Sequence, residues 1–64
     1  MKKFKYKLKN SSIICEEIRS DEDKLQLKKM THPDGNISYE TIYDGHVYEN
    51  DENGYIALKN IIES

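Results

Sequence analysis

Residues 37–49, ISYETIYDGHVYE, limit the fold of this chain more than any other segment. Asp44-Gly45 separates two runs that alternate between polar residues and β-branched or aromatic ones. That pattern predicts two antiparallel strands joined by a two-residue turn. The predicted cross-strand pairs are Tyr43 with His46, Ile42 with Val47, Thr41 with Tyr48, and Glu40 with Glu49.

This register divides the hairpin into an aromatic face and a mixed face. Directly opposed Glu40 and Glu49 repel each other, so we expect basic side chains nearby, supplied by the lysines of the first strand. The aromatic face is predicted to hold Ile37, Tyr39, Thr41, Tyr43, His46 and Tyr48.

The N-terminal residues 3–9 alternate lysine with an apolar or aromatic residue, which is the period of a half-buried strand. We expect Phe4, Tyr6 and Leu8 to face the core. We expect the other side chains of this strand to face water and to discourage pairing between edges; they are Lys3, Lys5, Lys7 and Lys9.

Two further strands are predicted between these segments. Residues 13–18, IICEEI, are β-branched and apolar and follow a turn at 10–12. Residues 20–30 fit either a capped helix or a strand. The turn sequence HPDGN at 32–36 favours a strand over 24–31, because a hairpin needs a strand on each side.

The C-terminal segment is open to two interpretations. Its apolar residues could form a helical stripe, or else a strand end, a turn and a last short strand; they are Tyr55, Ile56, Leu58, Ile61 and Ile62. In the second form, Gly54-Tyr55-Ile56, a turn and Ile61-Ile62 resemble the end of SH3-like small barrels. The preceding order, DKLQLKKM, a loop and a tight hairpin, is also similar.

The SH3-like resemblance implies a barrel topology and argues against proline-rich ligands. Ala57 stands where polyproline-binding SH3 domains have a proline, Lys59 and Asn60 stand where they have a tyrosine, and the chain has no tryptophan. The prediction is a mainly all-β single domain over residues 1–64, a five-stranded antiparallel SH3-like barrel or meander. It leaves room for a short helix or 3₁₀ turn near the C-terminus. The alternative is an α+β fold with a helix at 20–30, at 54–63, or at both.

Length and cysteine content bear on assembly and location. A chain of 64 residues buries a small core and is marginally stable unless a disulfide, a bound metal or a second subunit stabilises it. Cys15 is the only cysteine, so no disulfide can form within the chain, and Cys15, His32 and His46 lack the spacing of a zinc site. Self-association, with a homodimer favoured, is therefore expected. The lone cysteine, and the lack of an apolar run or signal peptide, predict a cytoplasmic protein.

Charge is unevenly distributed along the chain. Residues 1–30 carry nine basic and five acidic residues, whereas residues 31–64 carry Lys59 against seven acids. The two halves can attract each other within one fold, or the acidic half can face a basic partner. The composition, rich in lysine, asparagine and isoleucine, suggests an AT-rich genome. A short gene in such a genome often belongs to a phage or mobile element.

No motif for catalysis, cofactor binding or metal binding is present. Cys15 lies in an apolar run, the carboxylates lie on expected wet surfaces, and each glycine is expected to serve a turn. The chain is therefore predicted to be no enzyme and to need no cofactor or metal.

The leading functional hypothesis is a self-associating protein-interaction module, which in a phage would bind and inhibit a host protein. Tyrosine suits interfaces because it joins a large ring to a polar tip. The predicted partner-binding residues are Tyr39, Tyr43, His46, Tyr48, Asp51 and Glu52. The alternative is a small nucleic-acid-binding barrel that uses Lys3, Lys5, Lys7 and Lys9. It is less favoured, because the aromatic residues of that strand lie on the opposite face from the charge.

Overall fold

The computed structural model describes all 64 residues and contains five β-strands followed by one α-helix. The elements are β1 (Lys2–Lys7), β2 (Ile14–Arg19), β3 (Leu25–Thr31), β4 (Ile37–Tyr43), β5 (His46–Asn50) and α1 (Glu52–Glu63). The strands form one antiparallel sheet in chain order, and β1 and β5 are its two unpaired edges. The mainly-β prediction is confirmed, and of its two forms the open meander is observed, not a closed barrel.

The β4–β5 hairpin has the register predicted from the sequence. Its four predicted pairs are all present, and the ladder continues to Tyr39 opposite Asn50. Asp44 and Gly45 both have positive φ, 51° and 82°, as a type I′ turn requires. The backbone twist of such a turn matches the right-handed twist of the two strands. The Asp44-Gly45 pair was therefore sufficient to predict the register of the hairpin.

The two ambiguous central segments are resolved in favour of strands. His32 and Asn36 close the HPDGN turn through a 2.8 Å hydrogen bond from the His32 amide to the Asn36 carbonyl. This turn joins β3 to β4, so the helix alternative for residues 20–30 is wrong. Ser20 instead closes the β2–β3 turn, since its carbonyl accepts a hydrogen bond from the Asp23 amide.

The C-terminal segment is a helix, and the strand–turn–strand alternative for residues 54–63 is wrong. Asp51 is its N-cap, and its Oδ1 accepts a 2.7 Å hydrogen bond from the Gly54 amide. Gly54 therefore lies in the first turn of a helix, not in a loop turn. A Cβ at this position would run into the Asn50 side chain, which itself donates to Thr41 Oγ1.

The core lies between α1 and one face of the sheet. Ile18 and Leu27 are directly opposed on β2 and β3, and Tyr55 of α1 covers them. Four half-buried side chains surround this centre: Leu25, Tyr39, Leu58 and Ile62. Because only 6 of 64 residues are buried, the helix leaves much of the sheet uncovered.

The prediction for the first strand is wrong about which side faces the core. Phe4 and Tyr6 are exposed and share a face with Glu17, away from the helix. Lys3 and Lys5 lie opposite Ile18 and Glu16, so the lysines occupy the helix side of the sheet. Alternation fixed the two faces of β1, but α1 packs over β3 and β4 and covers neither face of this edge strand. Leu8 lies beyond the end of β1.

α1, the single helix, is neither long enough nor apolar enough to cross a lipid bilayer.

Candidate interaction surface

The aromatic face of the β4–β5 hairpin is on the helix side of the sheet, and only part of it belongs to the core. Tyr39 packs against Tyr55 with ring centroids 5.1 Å apart, and Thr41 beside it is buried. Tyr43 and Tyr48, in contrast, remain 50% and 53% exposed. The predicted face therefore serves both as core and as surface, with the division along the edge of the helix.

The predicted partner-binding residues form a strip along the hairpin. Tyr43 and His46 are opposed at the turn, and Tyr48 lies opposite Thr41. Tyr39 lies at the other end, four residues or about 13 Å from Tyr43. His46 is exposed. These residues share one face but do not converge on a single pocket.

Acidic side chains gather where β5 passes into α1. An open cleft of 530 Å³ here brings together three of the predicted partner-binding residues, Tyr39, Asp51 and Glu52. Glu40 and Glu49 also line it. Met30 and Ile37 supply apolar walls. The sequence missed the contribution of the opposed glutamates to this cleft, although their opposition was itself predicted.

These four carboxylates have no ion-pair partner within the chain. The ion pairs of the protein involve other acids, namely Asp21, Asp23, Glu16, Glu17 and Glu63. The expectation that first-strand lysines lie near Glu40 and Glu49 is wrong, because β1 is at the far edge of the sheet. Lys28 of β3 is opposite Glu40, but its ammonium lies 4.0 Å from Glu17 Oε1. The cleft therefore retains its negative charge.

The alternative nucleic-acid residues lie at the opposite edge. Lys3, Lys5 and Lys7 lie on the helix side of β1, and Lys9 lies in the turn that follows. A groove of 320 Å³ between β1 and α1 is lined by Lys3, Lys5 and also Lys59. Glu16 lies in this groove, 4.0 Å from Lys5 Nζ, and partly neutralises it.

A buried charged cluster on the face opposite the helix was missed. Glu17 is 2% exposed and accepts hydrogen bonds from the Tyr6 hydroxyl and from Arg19 Nε. The Arg19 guanidinium lies over the Phe4 ring, 5.0 Å from its centroid. The sequence IICEEI placed two adjacent acids in a strand, but it gave no sign that exposed side chains of β1 would cover one of them.

Tyrosine hydroxyls near these acids are held in the neutral form. The pKa of Tyr6 is raised by interaction with the Cys15 side chain, by partial burial and by the hydrogen bond to Glu17. The pKa of Tyr55 is raised chiefly by burial and also by the negative charge of Glu16. At neutral pH both hydroxyls therefore keep their protons: Tyr6 donates to Glu17, and Tyr55 lies in the core.

The clefts and side-chain clusters described above contain no metal-binding group. Nowhere do three or more His, Cys, Asp or Glu side chains gather in a way that could hold a metal ion. Comparison with protein-family models, with curated proteins and with solved structures found no match for this chain. The SH3-like resemblance therefore stays a prediction.

Proposed function

We propose that this protein is a non-enzymatic interaction module that binds a basic partner protein through the aromatic face and acidic cleft of its β4–β5 hairpin. The observation that supports this most directly is the set of four carboxylates without ion-pair partners in a cleft that also contains Tyr39. Tyr43 and Tyr48, half exposed, continue the tyrosine strip from Tyr39 along the same hairpin. Like charges held together in one fold repel, and a cationic partner would relieve that repulsion.

The tyrosines would supply the apolar part of such a contact. Tyr43 and Tyr48 lie on one face of the hairpin. Because a tyrosine side chain has only two χ angles, little side-chain entropy is lost when a partner covers it. Complementary charge at the cleft would speed and orient the encounter, whereas the rings would slow dissociation.

The setting we propose is the cytoplasm, where a single buried thiol needs no oxidised partner. The composition favours a phage or mobile-element gene, and in that case the bound protein would be a host protein that the module inhibits. Self-association belongs to the same proposal.

An affinity capture from cell lysate tests the proposal with two variants. Replacing Glu40 and Glu49 with glutamine (E40Q/E49Q) removes charge from the cleft and also a repelling pair. This variant should fold at least as well as the original chain yet lose most of the captured partner. Tyr43→Ser should weaken capture as well. Ile61→Ser is the matched control, because Ile61 is exposed on α1 and lies outside the hairpin.

Unchanged capture by E40Q/E49Q, measured alongside an unfolding curve, would count against the acidic cleft. Equal losses from Tyr43→Ser and Ile61→Ser would count against the aromatic face.

A second function, binding of nucleic acid, is favoured by the groove that joins Lys59 to Lys3 and Lys5. Phosphate contacts weaken steeply with salt, so salt-dependent retention on DNA or RNA would support it. A variant with Lys3 and Lys7 changed to glutamate should abolish that retention, whereas E40Q/E49Q should strengthen it.

A further inference from the structure

The two free edges of the sheet carry opposite charges. In β1, four of the six residues are lysines, and all six residues are exposed. At the other edge, β5 carries Glu49 and is followed by Asp51 and Glu52. Since β1 and β5 are separated by four strand spacings, about 19 Å, these charges do not neutralise each other within one chain.

The edges also differ in their protection against strand addition. Lysines on β1 discourage its pairing with another strand of the same kind. β5 has no lysine, proline or bulge, and four of its five residues are exposed, namely His46, Val47, Tyr48 and Glu49. Its outer backbone groups are therefore open to a partner strand.

We propose that the β5 edge accepts the β1 strand of a second copy of this chain, in a head-to-tail contact. Pairing β1 with β1 would bring lysines together, and pairing β5 with β5 would bring carboxylates together. Only the opposite edges attract each other. The contact rests on the proposed function in one respect, because it uses the same acidic side of the hairpin.

Antiparallel addition, the more stable kind of pairing, sets which side chains meet. With the free edges facing each other, an antiparallel β1 requires the second copy to be turned over, so its helix side continues the opposite side of the first sheet. Lys3, Lys5 and Lys7 then lie beside Glu49 and Val47, which are on the face away from α1. Phe4 and Tyr6 lie beside Tyr48 on the other face.

This contact joins two different surfaces, so it is not two-fold symmetric. Each added copy leaves one free β1 and one free β5, and the assembly can lengthen or close into a ring. The closed homodimer predicted from chain length is thus replaced by an assembly whose size depends on concentration.

Charge reversal in separate chains tests which edges meet. One variant changes Lys3 and Lys7 to glutamate (K3E/K7E); neither lysine faces an acid across β1–β2. The other is Glu49→Lys, which relieves the repulsion with Glu40. Lys24→Glu, in the exposed β2–β3 turn, is the control. The mean mass of each is measured by light scattering from micromolar to millimolar concentration, and folding is checked by circular dichroism.

The original chain and Lys24→Glu should rise in mean mass about twofold or more with concentration. Ionic strength near 1 M should reduce this rise, because the Debye length falls to about 3 Å. Each edge variant alone should stay monomeric, and an equimolar mixture of the two should associate again, since every contact between them pairs opposite charges. An original chain that remains monomeric at millimolar concentration and low salt would overturn the proposal. So would a mixture that does not associate. Either result leaves the capture experiment with E40Q/E49Q to decide the proposed function separately.

Discussion

The Tyr6 hydroxyl donates a 2.8 Å hydrogen bond to Glu17 Oε1 across the β1–β2 ladder, on the face of the sheet that no helix covers. Glu17 is nevertheless buried, because Tyr6, Arg19 and Phe4 lie over it. An edge strand with no buried residue of its own thus gains, beyond its backbone ladder with β2, side-chain contacts to one buried carboxylate.

Glu17→Ala should lower the free energy of unfolding by about 1.5–3 kcal/mol, the range for hydrogen bonds to charged groups. The loss leaves the Tyr6 hydroxyl and Arg19 without their acceptor. Glu16→Ala is the matched control: the Glu16 side chain is 43% exposed and its two ion pairs are 4.0 Å long, so the cost should be about 0–1 kcal/mol. Urea unfolding followed by circular dichroism measures both. Equal losses of unfolding free energy in the two variants would show that the Glu17 hydrogen bonds stabilise the fold no more than the ion pairs of Glu16 do.

Stability should fall as pH rises above about 10, the ordinary pKa of tyrosine. The folded state raises the pKa of Tyr6 and of Tyr55, so the unfolded chain loses these protons first. The stabilisation is fully present below the unfolded pKa and is lost as pH rises toward the folded one. Tyr6→Phe should be less stable than the original chain at pH 7, because it lacks the bond to Glu17. That difference should shrink in unfolding curves above pH 10. A difference independent of pH would contradict this assignment.

Leu27→Ala should cost about 2–5 kcal/mol, the usual range for a buried leucine. Leu27 is fully buried between Ile18 and Tyr55. In a domain of this size that loss should leave much of the chain unfolded at room temperature. Val47→Ala also removes apolar atoms, but fewer of them and from a side chain that is 61% exposed, so it should cost little. Thermal melts of the two variants decide whether the core lies where the structure has it.

Local signals were sufficient to predict the strands, because each strand or turn is indicated by residues that are adjacent in the sequence. Asp44-Gly45 determined the turn, and alternation then fixed the register of Tyr43 and His46. The same signals assigned Tyr39, Tyr43 and Tyr48 to one face, which is correct.

What sequence reasoning could not predict depends on where α1 packs. Alternation in β1 separates Phe4 and Tyr6 from the lysines, but it does not say which set faces the core. The helix covers the central strands, so β1 keeps both faces exposed and the apolar set lies on the far side. The burial of Glu17 follows from that misassigned face. The acidic cleft likewise forms only because α1 begins immediately after β5.

Asp51 should account for about 1 kcal/mol of stability through its cap on α1, within the usual range of 0.5–2 kcal/mol. Its Oδ1 satisfies the Gly54 amide, one of the backbone donors that a helix leaves unpaired at its start. Asp51→Ala removes this bond, and because α1 carries Tyr55 over Leu27, fraying there should loosen the core as well. Asp51→Asn keeps the cap and loses only the attraction of its charge to the helix N-terminus, about 0.3–1 kcal/mol. Amide hydrogen exchange should therefore show a loss of protection over the first turns of α1 in Asp51→Ala and little change in Asp51→Asn. Indistinguishable exchange in the two variants would mean that the helix begins without help from this side chain.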